Sequence, residues 1–185
     1  MKIFNRFDKE KILYKDNNTS IRKSVENALK RKVKLTGVNL TWADLTWADL
    51  SRANLSHTNL SGADLSHTNL SHTNLTHTNL SGANLSRADL TVADLSRADL
   101  TWADLTGANL CGSTGNNIEI KTIQTGIYIV NIVEKFEYIQ IGCERNTIER
   151  WFNFTNREIL EMDGKTALKW WKKWKPILVA ILEHK

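Results

Sequence analysis

Leucine falls at every fifth position from Leu35 to Leu110, sixteen times without a miss. Asn or Asp stands directly before it in every unit but the first, where Lys34 takes that place, and a small residue usually stands one position earlier. A period of five fits neither regular element. On an α-helix five steps of 100° move each Leu by 140° from the last, so no apolar stripe forms. On a flat strand an odd period sends successive leucines to opposite faces. The Asp, Ser and Thr crowded between them also compete with helical backbone bonding. All the leucines can be inside only if the chain turns a corner in every unit and coils over itself as a solenoid.

The units VNLTW, ADLTW, ADLSR, ANLSH and TNLSG follow the pattern small–Asp/Asn–Leu–Ser/Thr–any, and in this the chain resembles the pentapeptide-repeat proteins. The resemblance implies a mainly β fold: a right-handed quadrilateral β-helix with four units per coil. Sixteen units then make about four coils, a rod roughly 20 Å long at the strand spacing of about 4.8 Å. Such a rod exposes apolar interior and unpaired backbone at both ends, so the flanks are expected to cap it. The expected division is 1–32 as an N-terminal hairpin and helix cap, 33–112 as the β-helix, and 113–185 as a C-terminal α+β cap.

Charge is distributed unevenly over these parts. Residues 1–32 carry ten Lys/Arg against four Asp/Glu, the repeats four against seven, and residues 113–185 eleven against nine. The two cysteines, Cys111 and Cys143, stand in no metal or redox spacing, so a disulfide framework is not expected. The chain shows no signal peptide and no apolar run approaching the ~20 residues of a membrane span, so a cytoplasmic protein is the expectation.

Sequence variety in the repeats concentrates two residues after each Leu. Sorted by unit number modulo four, these positions form four columns: Gly37, His57, His77, Arg97; Trp42, Gly62, Gly82, Trp102; Trp47, His67, Arg87, Gly107; and Arg52, His72, Val92, Gly112. The second column reads as a shelf with aromatic ends and bare backbone between them, suited to a loop, a helix or a flat ligand. A plainer reading competes with it. Trp42 and Trp47 lie in the first coil and Trp102 in the last, where the caps must dock, and this favours packing seams. His57 and His77 share a column, but two His without a carboxylate or Cys partner make a weak metal signal. Duplication of the unit HTNL accounts for His57, His67, His72 and His77. Neither a nucleophile elbow nor a phosphate-binding glycine loop is present, and no catalytic residue, cofactor or metal is expected.

The N-terminal flank reads as a hairpin (Ile3, Phe4, Phe7; a DKEK turn; Ile12, Leu13, Tyr14). An amphipathic helix follows, with Ile21, Val25, Ala28 and Leu29 inward and Lys and Arg outward. Beyond Ser113, IEIKTI, TGIYIVNIV and FEYIQIG read as strands, with a hairpin turn at Glu134-Lys135. Short helices should then start near Thr147 and Thr155, the first carrying Ile148 and Trp151. Another helix carries Ala167, Leu168, Trp171 and Trp174, and Pro176 should open a final turn. Both flanks, SVENALKRKVKLTGVNL and IERWFNF…LKWWKKWKPILVAIL, resemble those of phage and bacterial pentapeptide-repeat proteins. A His expected near Asn146 in that group is missing, which argues against a reactive Cys143–His pair. The WWKKWK run suits a membrane interface or nucleic acid, a cap helix, or a second copy. A cap that also forms a homodimer through Trp171, Trp174, Leu178, Ile181 and Leu182 is preferred.

The function expected from these features is a non-enzymatic rigid scaffold that docks an unidentified protein partner on a β-helix face. Trp42, Gly62, Gly82, Trp102, Trp47, His57 and His77 are the candidate surface. A phage or prophage protein that blocks a host factor is one form of this. The resemblance offers a second, a DNA mimic that binds a type II topoisomerase (gyrase), which the net charge of the repeats and the positive flanks weaken. Nucleic-acid or anionic-ligand binding through the basic N-terminal segment and WWKKWK is a third.

Overall fold

A computed structural model describes residues 1–5, 12–116, 120–125, 128–133 and 138–183. The expected positions of Phe7, the DKEK turn and the Glu134-Lys135 turn lie outside the described residues. Among the described residues the elements run in chain order: β1 (Lys2–Asn5), β2 (Ile12–Lys15), α1 (Ile21–Lys30), β3 (Val38–Asn39), β4 (Lys121–Gln124), β5 (Ile129–Val133), β6 (Tyr138–Ile141), β7 (Glu144–Thr147), α2 (Ile148–Asn153) and α3 (Asn156–Glu183).

The sixteen leucines are all inside, none more than 3% exposed. Parallel bridges join residues twenty apart, Asn39 to Asn59, Asp44 to Asp64 and so on through Asp94 to Thr114. Between neighbouring layers Leu40 N–H donates to the Asn59 carbonyl at 2.8 Å and Asn59 N–H to the Val38 carbonyl at 2.9 Å, and the pair recurs along the chain. The repeat segment is thus a β-helix whose register advances by four units. Each unit turns its corner in four residues: Ala43 N–H reaches the Leu40 carbonyl at 3.1 Å, and Trp42 between them has φ +57°. A turn of this kind needs positive φ at its third residue. The same left-handed backbone occurs at His57, Arg52, Val92 and every other variable position but those filled by glycine, which share it.

The Asn/Asp requirement follows from the corner. Asn39 Oδ1 accepts the Thr41 N–H at 3.1 Å and the Thr41 hydroxyl at 2.6 Å, and Asp44 does the same for Thr46 at 3.1 and 2.8 Å. The side chain mimics one more turn of backbone. Where Thr replaces Ala two before Leu, its hydroxyl points inward to a carbonyl of the preceding layer. Thr68, Thr73 and Thr78 donate to the carbonyls of Leu45, Leu50 and Leu55 at 2.8–2.9 Å. These hydroxyls are buried but satisfied.

Hydrogen bonds from the Thr46 hydroxyl and N–H hold the Asp44 carboxyl below its ordinary 3.8, and those from Ser51 do the same for Asp49. A depressed folded pKa contributes stability that is complete above the unfolded value and is lost as pH falls through the folded one. Unfolding midpoints should therefore drop on acidification below about pH 4. In Asp44→Asn that acid slope should become shallower with the fold intact, because Asn39 already makes the same two bonds. Thermal melts from pH 2.5 to 6 check this.

Residues of both flanks pack with the leucine core. At the first end, β1 pairs antiparallel with β2 on one side and with β3 on the other. Ile3, Tyr14, Val25 and Ala28 join the leucine core. From α1, Arg22 donates to the Thr46 carbonyl at 2.9 Å and Glu26 accepts the Asp49 N–H at 3.1 Å. At the other end, β4-β5-β6-β7 form an antiparallel sheet. Strand alternation divides β5 and β6 cleanly. Val133 and Tyr138 face the leucine core, whereas Val130, Ile132, Ile139 and Ile141 pack against Trp151, Ile159, Trp170, Trp171 and Leu178 of the helices.

Two buried amides lie on the inner face of that sheet, directly opposite each other in register: Asn131 and Gln140. Gln140 Oε1 accepts the Leu110 N–H at 2.8 Å and its Nε2 donates to Asn109 Oδ1 at 3.1 Å. Asn131 Nδ2 donates to the Leu110 carbonyl at 2.9 Å. The backbone groups that would pair with a further layer are met by side chains instead.

Two expectations change, and one strand was not foreseen. Cys111 and Cys143 are joined by a disulfide, with Cα atoms 4.6 Å apart. The reading from spacing failed because the bond ties the last unit to the β6–β7 turn, a proximity created only by folding. Pro176 lies inside α3 rather than opening a new turn, and the helix continues to Glu183. Burial of Leu178 on the far side of the proline offsets the lost backbone bond. Finally, Glu144–Thr147 (ERNT) is a strand, although its residues are polar.

Candidate interaction surface

Positive φ at the corner throws each variable side chain outward and along the rod, over its counterpart twenty residues on. Trp47 stacks on His67 with centroids 4.1 Å apart and planes at 6°, and His57 on His77 at 4.8 Å and 8°. A Cβ added to Gly107 would meet Arg87 Cγ at 3.2 Å, and one on Gly112 would meet Val92 Cγ2 at 3.3 Å. The columns expected from the unit count are therefore physical ladders.

The tryptophans are not packing seams. Trp42 is 79% exposed, Trp47 66% and Trp102 81%. The described residues of the flanks reach the interior and the backbone of the end layers. The shelf also differs from expectation at one step. Trp42 lies flat across Gly62, where an added Cβ would sit 2.4 Å from its ring, so only glycine in the next layer admits this pose. At Gly82 the space above the backbone is open, with nothing within 4 Å of an added Cβ. The surface presented is thus one indole face, one bare step at Gly82, and a second indole at Trp102.

Among the described residues no group of three His, Cys, Asp or Glu could hold a metal ion, and no helix is long and apolar enough to cross a membrane. His57 and His77 are brought together, but in a stack rather than converging on a point. The residues expected at a dimer surface are divided: Trp171 and Leu178 are buried inside the chain, whereas Trp174, Ile181 and Leu182 are partly covered by the same cluster. Ile177, next to Leu178, is exposed on α3.

A family model described as pentapeptide repeats matches residues 31–52, 53–91 and 93–117, in eight copies. Among solved structures, the chain is similar to HetL, a pentapeptide repeat protein involved in heterocyst differentiation regulation in Nostoc sp. strain PCC 7120. Identity is 39% over 43% of this chain and 39% of that one, with a TM-score of 0.32. It is similar also to Rfr23, a pentapeptide repeat protein from Cyanothece 51142, at 36% identity over 42% and 54% of the two chains and a TM-score of 0.32. A trypsin-treated form of QnrB1, a plasmid-mediated fluoroquinolone resistance protein, matches at 19% identity over 42% and 48%, with a TM-score of 0.25. The chain spans 39% and 54% of the length of HetL and Rfr23. No curated protein gives a significant match. The chain belongs to the pentapeptide-repeat family, which implies a right-handed β-helix.

Proposed function

We propose that this pentapeptide-repeat protein is a non-enzymatic scaffold that docks a protein partner on the β-helix face carrying Trp42, Gly62, Gly82 and Trp102, flanked by the Trp47–His67 and His57–His77 stacks. In this reading the β-helix is quadrilateral with about four coils, consistent with bridges twenty residues apart over sixteen units. Residues 1–32 and 113–185 act as its caps. The observation that carries the proposal is the exposure of large aromatic surface at Trp42 and Trp102 on a frame whose interior is uniform. Exposed indoles on a rigid support are the kind of anchor that protein interfaces use. A phage-encoded blocker of a host factor fits the same design, and both forms need one flat docking face.

The observations do not favour DNA mimicry. His and Arg stand in three of the four outward columns, so the walls offer no continuous row of negative charge. A homodimer through α3 has Trp174, Ile177, Ile181 and Leu182 to use, since Trp171 and Leu178 are taken up by the fold.

The double variant Trp42→Ala/Trp102→Ala tests the docking face. As surface truncations these changes should shift unfolding free energy by no more than about 0.5 kcal/mol. A partner held by the unaltered protein in quantitative affinity capture should be lost at least about tenfold with the variant. Identical capture by both proteins would remove this face from the proposal.

A further inference from the structure

On the side of the C-terminal sheet away from the β-helix lies a cavity of about 180 Å³ between the β6–β7 turn and the two halves of α3. One wall is a run of four aromatic rings in sequence. Trp151 is 5.6 Å from Trp171, Trp171 is 6.3 Å from Trp170, and Trp170 meets Tyr128 edge-on at 5.0 Å. The rings are held by bonds at their own edges: Trp151 Nε1 donates to the Ile139 carbonyl and Trp170 Nε1 to the Thr125 hydroxyl, each at 2.7 Å. Ile141, Ile159, Met162 and Ala167 supply apolar surface.

The charge of this lining is one-sided. Residues 113–185 hold eleven Lys/Arg against nine Asp/Glu, yet among the described residues the cavity is lined by Asp163 and Glu144 and by no basic residue. Asp163 is there because α3 is broken. Asp163 has φ −151° and ψ 38°, and Gly164 has φ +62° and ψ −153°. The break sets the Asp163 carboxylate to accept the Tyr128 hydroxyl. A helix interrupted by non-helical backbone costs stability, and such breaks gather at ligand sites. Gly142 opens the other side, where an added Cβ would come within 3.3 Å of the Tyr128 ring.

We infer that this cavity is a binding site for a small organic cation of the methylated-ammonium class. Such a head group is attracted by ring faces, has no N–H donors that need partners in an apolar wall, and gains from carboxylates at the rim. An inorganic cation would find the Asp163 and Glu144 carboxylates set in a largely apolar wall, short of the about six oxygens it takes, and an anion would be repelled by them. The Tyr128 hydroxyl, pushed up to about 12 by burial and then by the bond and charge of Asp163, stays protonated through the working range and keeps Asp163 in place.

The inference stands apart from the docking face on the β-helix, and its test does not touch that face. The full chain is titrated with choline and, in parallel, with its neutral isostere 3,3-dimethyl-1-butanol, following Trp fluorescence and ligand-observed NMR. Saturable binding of choline, at least about tenfold tighter than the isostere and weakened at least about tenfold by Asp163→Asn, is the expected result. Ala167→Leu, which fills the cavity without removing a ring or a charge, should abolish binding while circular dichroism and the melting curve show a folded protein. Absence of saturable choline binding by the folded chain, equal binding of the isostere, or binding unaffected by Ala167→Leu would each overturn the inference.

Discussion

Replacing both inner-face amides, Asn131→Leu/Gln140→Leu, is expected to lower unfolding free energy by about 2–4 kcal/mol, measured by urea denaturation. The two amides are 1% exposed, and Leu110 is fully buried. Without them the Leu110 N–H loses its partner and the Thr122 hydroxyl its Asn131 Oδ1 acceptor, whereas the Leu110 carbonyl keeps Ser113 and Asn109 Oδ1 keeps the Cys111 N–H. An orphaned buried N–H costs about 1–3 kcal/mol and each further lost hydrogen bond about 0.5–1.5 kcal/mol, and the leucines return some of this as apolar contact. Gln140→Leu should carry the larger share, because it alone leaves the Leu110 N–H without a partner. Gln140→Glu separates bonding from size: its carboxylate keeps an acceptor for Leu110 N–H but has no donor for Asn109, and it brings a buried charge. It should be at least as damaging as Gln140→Leu. A double variant within 1 kcal/mol of the original protein would mean that the last layer satisfies its backbone without these side chains.

The other large effect lies in the middle of the rod. Leu70→Ala is expected to cost about 3–5 kcal/mol. Leu70 is fully buried, and its neighbours twenty residues away, Leu50 and Leu90, are fully buried too. Those neighbours are fixed by the interlayer backbone bonds, Leu50 N–H to the Asn69 carbonyl and Leu70 N–H to the Asp89 carbonyl, at 2.8 and 2.7 Å. The walls therefore cannot close on the space left behind, and the loss should sit at the upper part of the range seen for such truncations. Leu70→Met keeps volume and should cost less than about 1.5 kcal/mol. A Leu70→Ala variant that loses less than 1 kcal/mol would show that the layers slide to fill the gap.

The interior was legible from the leucine period alone, because five fits no other regular element. The columns were legible from counting in fours, and the ladders Trp47–His67 and His57–His77 follow from it. What counting could not supply was the direction in which the corners point. Trp42, Trp47 and Trp102 looked like seams because they fall in the first and last layers, yet all three side chains are exposed. A signal for this existed. Glycine holds the corner position at Gly37, Gly62, Gly82, Gly107 and Gly112, as positive φ asks, and the same backbone turns the other side chains outward. Asn131 and Gln140 were visible as single polar residues inside the runs IYIVNIV and YIQI, and alternation placed them beside Val133 and Tyr138. Their task was not readable, because it depends on the orphaned backbone at Leu110. The Cys111–Cys143 bond and the Asp163 carboxylate against Tyr128 join segments 32 and 35 residues apart, and no local pattern marks either.

The twenty-residue register has a consequence for how such a chain can change in length. Because one unit is a quarter of the register, gaining or losing a single unit would swing the C-terminal sheet and its aromatic cavity about a quarter turn around the rod relative to α1. Gaining four would leave the two ends facing as before and only push them apart by about 4.8 Å. The number of units, taken modulo four, therefore works as an angular setting: whatever must touch both ends at once sees it, while the leucine interior does not.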